Sequence, residues 1–414
     1  MPGVAILPPM PPETRFNVIS TTRTPPAATD GLPLNGLLAL ASAAFITILT
    51  EALPAGLLPG ISAGLGVPES AAGQLVTVYA VGSLMAAIPL TALTRGLNRR
   101  PLLLAALAGF LIANTTTALS SSYSLTLLAR FVAGVSAGLL WALAAGYAAR
   151  LAPAPLKGRA IAIAMAGTPL ALSLGVPGGT FLGTLIGWRA CFGLISGLSV
   201  VLILWIIAAL PDFPGEAAAG RKPLTGVFLL PGVRPVLLVV LGFVVAHNLL
   251  YTYIAPFLQA ATLARQTDRV LLVFGIASLA GIAVVGALVD HWLRALTLAS
   301  IMLFGVAAAV LGMGAGTPPL VYGAVALWGL AFGGAATLFQ TASAKAAGAA
   351  ADLAQSMLVT VWNTAIAGGG LLGGLLLESA GVDAFAPALL LLLAAAFGVT
   401  LASTRGFPRR RSRR

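Results

Sequence analysis

Charge is what this chain has least of. Only 8% of its 414 residues are Asp, Glu, Lys or Arg, against roughly 25% in a soluble domain. So few charges cannot clothe a water-facing surface of this size, whereas lipid requires no such coat. A single cysteine, Cys191, excludes an intramolecular disulfide and a cysteine-based metal cluster. The two histidines, His247 and His291, exclude a histidine-rich metal site. No H-E-x-x-H, P-loop or dinucleotide fingerprint occurs, which disfavours an ATP-driven pump. Gly134-Val-Ser136-Ala-Gly138 has the letters of a nucleophile elbow, but its serine falls inside a long apolar run and no His/Asp set accompanies it. An enzyme is not expected, nor is a cofactor or a metal.

What is abundant is hydrocarbon. Apolar residues make up 59% of the chain, in runs that reach the ~20 residues needed to cross a bilayer. Twelve spans are expected, at about 34–59, 70–93, 101–119, 123–149, 160–186 and 190–210, then 234–259, 268–289, 295–315, 319–344, 353–377 and 384–404. The fold class is therefore all-α and membrane-embedded, as two pseudo-symmetric six-helix bundles. The expected organisation is a disordered tail (1–33), a first bundle (34–210), a linker (211–232), a second bundle (233–404) and a basic tail (405–414). With the amino terminus in the cytoplasm, nineteen of the 23 Lys and Arg residues fall on the cytoplasmic side. That bias sets orientation and puts both termini inside. It also accounts for the net charge of +12 without nucleic acid. The basic tail reads as a membrane-surface anchor.

Charges inside the spans are few. Glu51 is the acidic residue well within one, and Arg130 the basic one. Counted from the outer ends of helices 1 and 4, both lie about 10–13 Å deep. Matching depth permits a pair, either as a static staple between helices or as part of a transport path. Arg130, Gly134, Gly138 and Trp141 share a face of helix 4, which reads as a cavity wall or as close helix packing. In helix 7, His247 and Tyr251 are one turn apart, with Asn248 beside them. Asn114, Gln340 and Asn363 are further polar candidates, for substrate or for interhelical bonding.

Helix 5 carries Gly175, Pro177, Gly178 and Gly179, and the four-residue glycine spacing continues to Gly183 and Gly187. Such a smooth stripe with a proline suits a hinge or sliding seam against the opposite half, or a static tight crossing. The halves also echo one another. LTALTRGLNRR begins at Leu90 after helix 2, and GALVDHWLR begins at Gly286 after helix 8. Duplicated halves with a site near mid-membrane are the usual organisation of secondary transporters.

These residues resemble the major facilitator superfamily, in particular its twelve-helix drug:proton antiporter group. Arg130-Phe-Val-Ala-Gly134 with Gly138 is similar to the family's helix 4 motif, whose arginine is linked to proton coupling. Gly175-Val-Pro177-Gly178-Gly179 resembles the exporter motif of helix 5, without its full spacing. The loop holding Arg95 and Arg99 resembles the family's signature loop, with Thr94 where the acidic residue falls and Leu90 for the leading glycine. The second copy keeps Gly286, Asp290 and Arg294. TEALPAGLLP around Glu51, GTFLGTLIGWR ending at Arg189 and YTYIAPFL from Tyr251 are similar to bacterial sugar, purine ribonucleoside and chloramphenicol exporters.

The resemblance implies a bacterial inner-membrane exporter, working as a monomer, that exchanges protons for a small polar or amphiphilic solute. Glu51 and Arg130 would carry the coupling, and Trp141, His247, Asn248, Tyr251 and Gln340 would line the cavity. Gly175, Pro177, Gly178, Gly179, Arg95, Arg99, Asp290 and Arg294 would act in conformational switching. An importer or uniporter on the same fold is the alternative within transport, and a membrane sensor or scaffold the alternative outside it.

Overall fold

The structure is a computed structural model and describes residues 32–94, 96–215, 228–314 and 316–408. Most of the two tails, most of the 211–232 linker and Arg95 lie outside the described residues. Among the described residues, helices are the only regular elements besides turns. The first half holds α1 (Leu34–Leu65), α2 (Glu69–Thr94), α3 (Arg99–Leu119), α4 (Tyr123–Leu151), α5 (Lys157–Ile186) and α6 (Trp188–Ala209). The second holds α7 (Val233–Thr252), the short α8 (Ile254–Ala260), α9 (Thr267–Gly314), α10 (Pro318–Ala347), α11 (Ala351–Ala380) and α12 (Phe385–Ala402). Among the described residues, ten helical stretches have the length and hydropathy to cross a membrane. Large apolar side chains such as Leu194, Leu198, Val201 and Leu204 stand exposed along one side of α6, where hydrocarbon is the fitting solvent.

The eighth and ninth spans are two helices that meet within α9 at a kink, where Trp292 leaves helical geometry (φ −124°, ψ 21°). The seventh span breaks at Tyr253 (φ −109°, ψ 26°) before α8. Helix α5 contains a π turn at Ala171–Gly175, with Pro177 just after it. The turn absorbs one extra residue and re-aims the face that follows.

The internal repeat is visible in atomic contacts. Arg100 donates to the carbonyl of Ile207 in the last turn of α6, and Arg294 donates to that of Leu401 in the last turn of α12, 194 positions later for both residues. Gly134 packs against the carbonyl of Tyr79, and Gly329 against that of Phe274, 195 positions later. Arg294 also donates to Ser403 and Phe407 at 3.1 and 2.9 Å. Each arginine thus satisfies carbonyls that a helix end leaves open.

The halves meet chiefly through α2 against α11 and α5 against α9. Hydrogen bonds join them at Gln74–Tyr253, Gln74–Gly370, Tyr253–Ser70 and Ser173–Gly275. These run from mid-bundle to the side away from Leu34 and Ala402, called here the far side. On the side of those two helix ends, the hydrogen bonds of Arg100, Arg234 and Lys345 stay within one half. The bundle is therefore closed at its far side.

Candidate functional site

The first half builds its centre on α1, α2 and α4. Arg130 is buried to 1% exposure at mid-depth. Gly134, one turn on, lets α4 lie directly on α2, which brings the Tyr79 ring under the guanidinium. The guanidinium carbon stands 4.9 Å from the Tyr79 ring centre and 5.8 Å from that of Phe192. A cation over aromatic faces gains about 0.5–2 kcal/mol per good contact. Nε donates to Leu75 O at 3.4 Å and Nη2 to Glu51 O at 3.5 Å, while Nη1 has no partner. Arg130 thus touches Glu51 through the main chain. The Glu51 carboxylate is partly buried and lies within electrostatic reach of Arg130, Tyr79 and Tyr251. Beside it, Asn114 donates to Thr50 Oγ1 at 3.1 Å and leaves its own carbonyl oxygen unpartnered.

The second half answers with aromatic rings. His247 stacks on Phe332, with ring centres 3.4 Å apart and planes 7° from parallel. Tyr251 lies over its other side at 5.2 Å. Trp328 donates its indole N–H to His247 Nδ1 at 3.2 Å, which leaves Nε2 to carry the proton of the neutral ring. Phe274 closes the group at 4.5 Å from Trp328. The Tyr251 hydroxyl is buried without a partner and lies within electrostatic reach of Glu51. By the internal register, Val325 occupies the place of Arg130 and Ala246 that of Glu51. Charge is therefore confined to the first half and aromatic surface dominates the second.

Sequence reasoning missed Trp328, Phe332 and Phe274. The signal was available: Trp328 and Phe332 are spaced by four, as His247 and Tyr251 are, and so share a helix face. Other expected residues make different contacts. Asn248 bonds its own helix at Val244 O (2.9 Å) and packs on Gly369 of α11. Trp141 is half-buried against the apolar core. Gln340 is exposed, and Asn363 bonds back to Val359 O at 3.0 Å. Gly134 serves helix packing.

The glycine stripe of α5 requires a correction. Its face does not meet the opposite half. Gly175, Gly179 and Gly183 receive Phe45, Leu53 and Leu57 of α1, in the same half. A bulky four-residue ridge on α1 fills a glycine groove on α5, which is the geometry of two i±4 rows interdigitating. Gly178 faces open space. The contact across the halves is made by Ser173 in the π turn, whose hydroxyl donates to Gly275 O at 3.1 Å. Of the loop residues, Arg99 donates its backbone N–H to Phe213 O at 2.8 Å, and Asp290 is exposed while its carbonyl accepts from Lys345 at 3.4 Å.

A helical membrane bundle made of two repeated halves, closed at one side and with its charged and aromatic groups facing at mid-depth, has the architecture of a secondary transporter. The sequence profile of the Major Facilitator Superfamily matches residues 40–369. The chain belongs to that superfamily, a family of transporters rather than of enzymes. It is 32% identical over 379 residues to the "Transcription regulatory protein OpdE" of Pseudomonas aeruginosa, covering 90% of this chain and 94% of that one. It is 28% identical over 357 residues to a "Probable sugar efflux transporter" of Mannheimia succiniciproducens, covering 84% and 88%. Among solved structures, it is similar to a bacterial homologue of the human lysosomal transporter Spinster in an inward-facing, occupied conformation (TM-score 0.74, 15% identity, 94% and 100% covered). It is also similar to the human organic anion transporter MFSD10 (TM-score 0.65, 18% identity, 91% and 100% covered). At these identities the two structures speak to the fold alone.

Proposed function

We propose that the chain crosses the bacterial inner membrane twelve times, with both termini in the cytoplasm, and works as a monomeric exporter that exchanges protons for a small polar or amphiphilic solute. The observation that carries the reading is the grouping of Glu51 with buried Arg130 on one half, facing the Tyr251–His247 rings of the other. An ionisable pair within a membrane is costly and marks a transport path more often than a staple. A carboxyl's proton affinity depends on its solvation and on nearby charge, and an arginine does not release its proton in this range. Glu51 is then the proton carrier and Arg130 its regulator. Closing and opening the halves changes what Glu51 faces, and so changes its hold on the proton.

The relative named as a sugar efflux transporter supports export, and the aromatic faces of His247, Tyr251 and Trp141 suit a flat polar solute. Gln340 lines the same cavity from α10, and Asn248 shapes it by seating α7 on α11. Arg99, Asp290 and Arg294 tie helix ends that move as units, Arg95 acts with them in switching, and the Gly175–Gly179 segment with Pro177 keeps α5 docked on α1 meanwhile. A second reading is a membrane-embedded regulator, favoured by the name of the 32% relative. Everted vesicles with an imposed proton gradient separate the two. An exporter accumulates at least one labelled solute from a panel of nucleosides, sugars and antibiotics, and collapsing the gradient abolishes it. A chain that moves none of them, but whose deletion changes transcription, is a regulator.

A further inference from the structure

The far-side contact between the halves is organised around one side chain, Tyr253. It occupies the break between α7 and α8, and it is fully buried. Three glycines make room for its ring, one from the first half and two from the second. Gly73 of α2 lies against the phenol. A Cβ at Gly373 of α11 would stand 2.6 Å from ring Cδ2, and one at Gly374 would stand 2.6 Å from the hydroxyl. The hydroxyl shares its proton between Gly370 O (2.9 Å) and Ser70 O (3.2 Å), and it accepts from Gln74 Nε2 at 3.1 Å. Gln74 in turn reaches Gly370 O at 3.3 Å. One hydroxyl therefore bonds both halves at once, in a socket that only glycine can line.

We propose that Tyr253 is the latch of the far-side gate: seated between Ser70, Gln74 and Gly370 it holds the bundle closed there, and the transport cycle must withdraw it. Tyr253 also lies two residues from Tyr251, whose unpartnered hydroxyl is within electrostatic reach of Glu51. Movement at the central site and release of the latch then share one short segment of backbone. The latch rests on the alternating-access part of the proposed function and on nothing about substrate or protons.

The test uses full-length protein in lipid nanodiscs with Cys191→Ser, spin labels at Glu69→Cys and Ser379→Cys, and no substrate. Tyr253→Phe keeps the ring and removes the hydroxyl's own bonds across the halves, to Ser70 and Gln74. One net hydrogen bond of this kind shifts an equilibrium about tenfold. The ratio of long to short label distances is expected to rise by about that factor. Gln74→Leu, made from the other half, is expected to do the same, and it decides the matter if Tyr253→Phe does not fold. Tyr123→Phe is the control. Its hydroxyl donates to Ala71 O at 2.8 Å within the first half, and its loss is expected to leave the distances alone. Unchanged distances in both Tyr253→Phe and Gln74→Leu, or an equal shift in Tyr123→Phe, overturn the latch. If wild type accumulates solute in vesicles and the distances do not respond, only the latch fails. If the distances respond and no solute moves, the latch stands and the transport reading fails.

Discussion

Gly134→Ala probes the first-half centre without touching a charge. A methyl group there would fall on the Tyr79 carbonyl, with Ser83 N 3.0 Å away, so backbone rather than a yielding side chain blocks it. The helices α2 and α4 must part. Overpacking of a tight interface costs about 1–3 kcal/mol. Moving Tyr79 also withdraws the ring from under Arg130, 4.9 Å away, which forfeits about 0.5–2 kcal/mol. Alanine's better helix propensity returns about 1 kcal/mol. The net loss is then about 0.5–4 kcal/mol, roughly a two-fold to several-hundred-fold shift in the unfolding equilibrium. Thermal unfolding of purified protein reads it. Gly329→Ala, its counterpart against Phe274 O, is expected to destabilise comparably. Gly178→Ala meets nothing within 4 Å and is expected to be neutral. If Gly134→Ala unfolds like Gly178→Ala, the packing account of α4 on α2 is wrong.

Two further outcomes follow from the same contacts. Gly179→Leu is expected to lower folded yield as well as transport, because its Cβ alone would lie 2.7 Å from Leu53 Cδ1; normal yield with blocked turnover would restore a moving seam on that face. Trp141→Ala is expected to weaken substrate affinity several-fold while gradient-dependent transport persists, as measured by solute titration of vesicle uptake, and an unchanged affinity would put the pocket elsewhere.

Much of this molecule is readable from its letters because charge is so scarce. Each gap between apolar runs carries a charge, a proline or a polar group, so the spans declare themselves. The polar stretch Asp290–Arg294 marks the junction of the eighth and ninth spans, and the backbone kinks there at Trp292. Counting residues from the ends placed Glu51 and Arg130 at one depth, and the structure sets the guanidinium on the Glu51 carbonyl. Spacing could not say that Tyr251 of the other half would come within electrostatic reach of the carboxylate. Four-residue periodicity correctly grouped the α5 glycines on one face. Periodicity names a face but not the neighbour it meets, which here is α1. The His247 cluster was half legible, since its partners on α9 and α10 come from sequence-distant positions that only the fold assembles.

The central claim is that Glu51 carries the proton. Glu51→Gln keeps the size and hydrogen-bonding capacity of the side chain and removes its ionisation. The decisive measurement is accumulation of a transported solute in everted vesicles under an imposed proton gradient, alongside binding of the same solute to the purified variant. The account predicts that Glu51→Gln still binds solute and no longer accumulates it. Accumulation at the wild-type level would make Glu51 a structural neighbour of Arg130 and move the coupling to another group, with His247 the next to test.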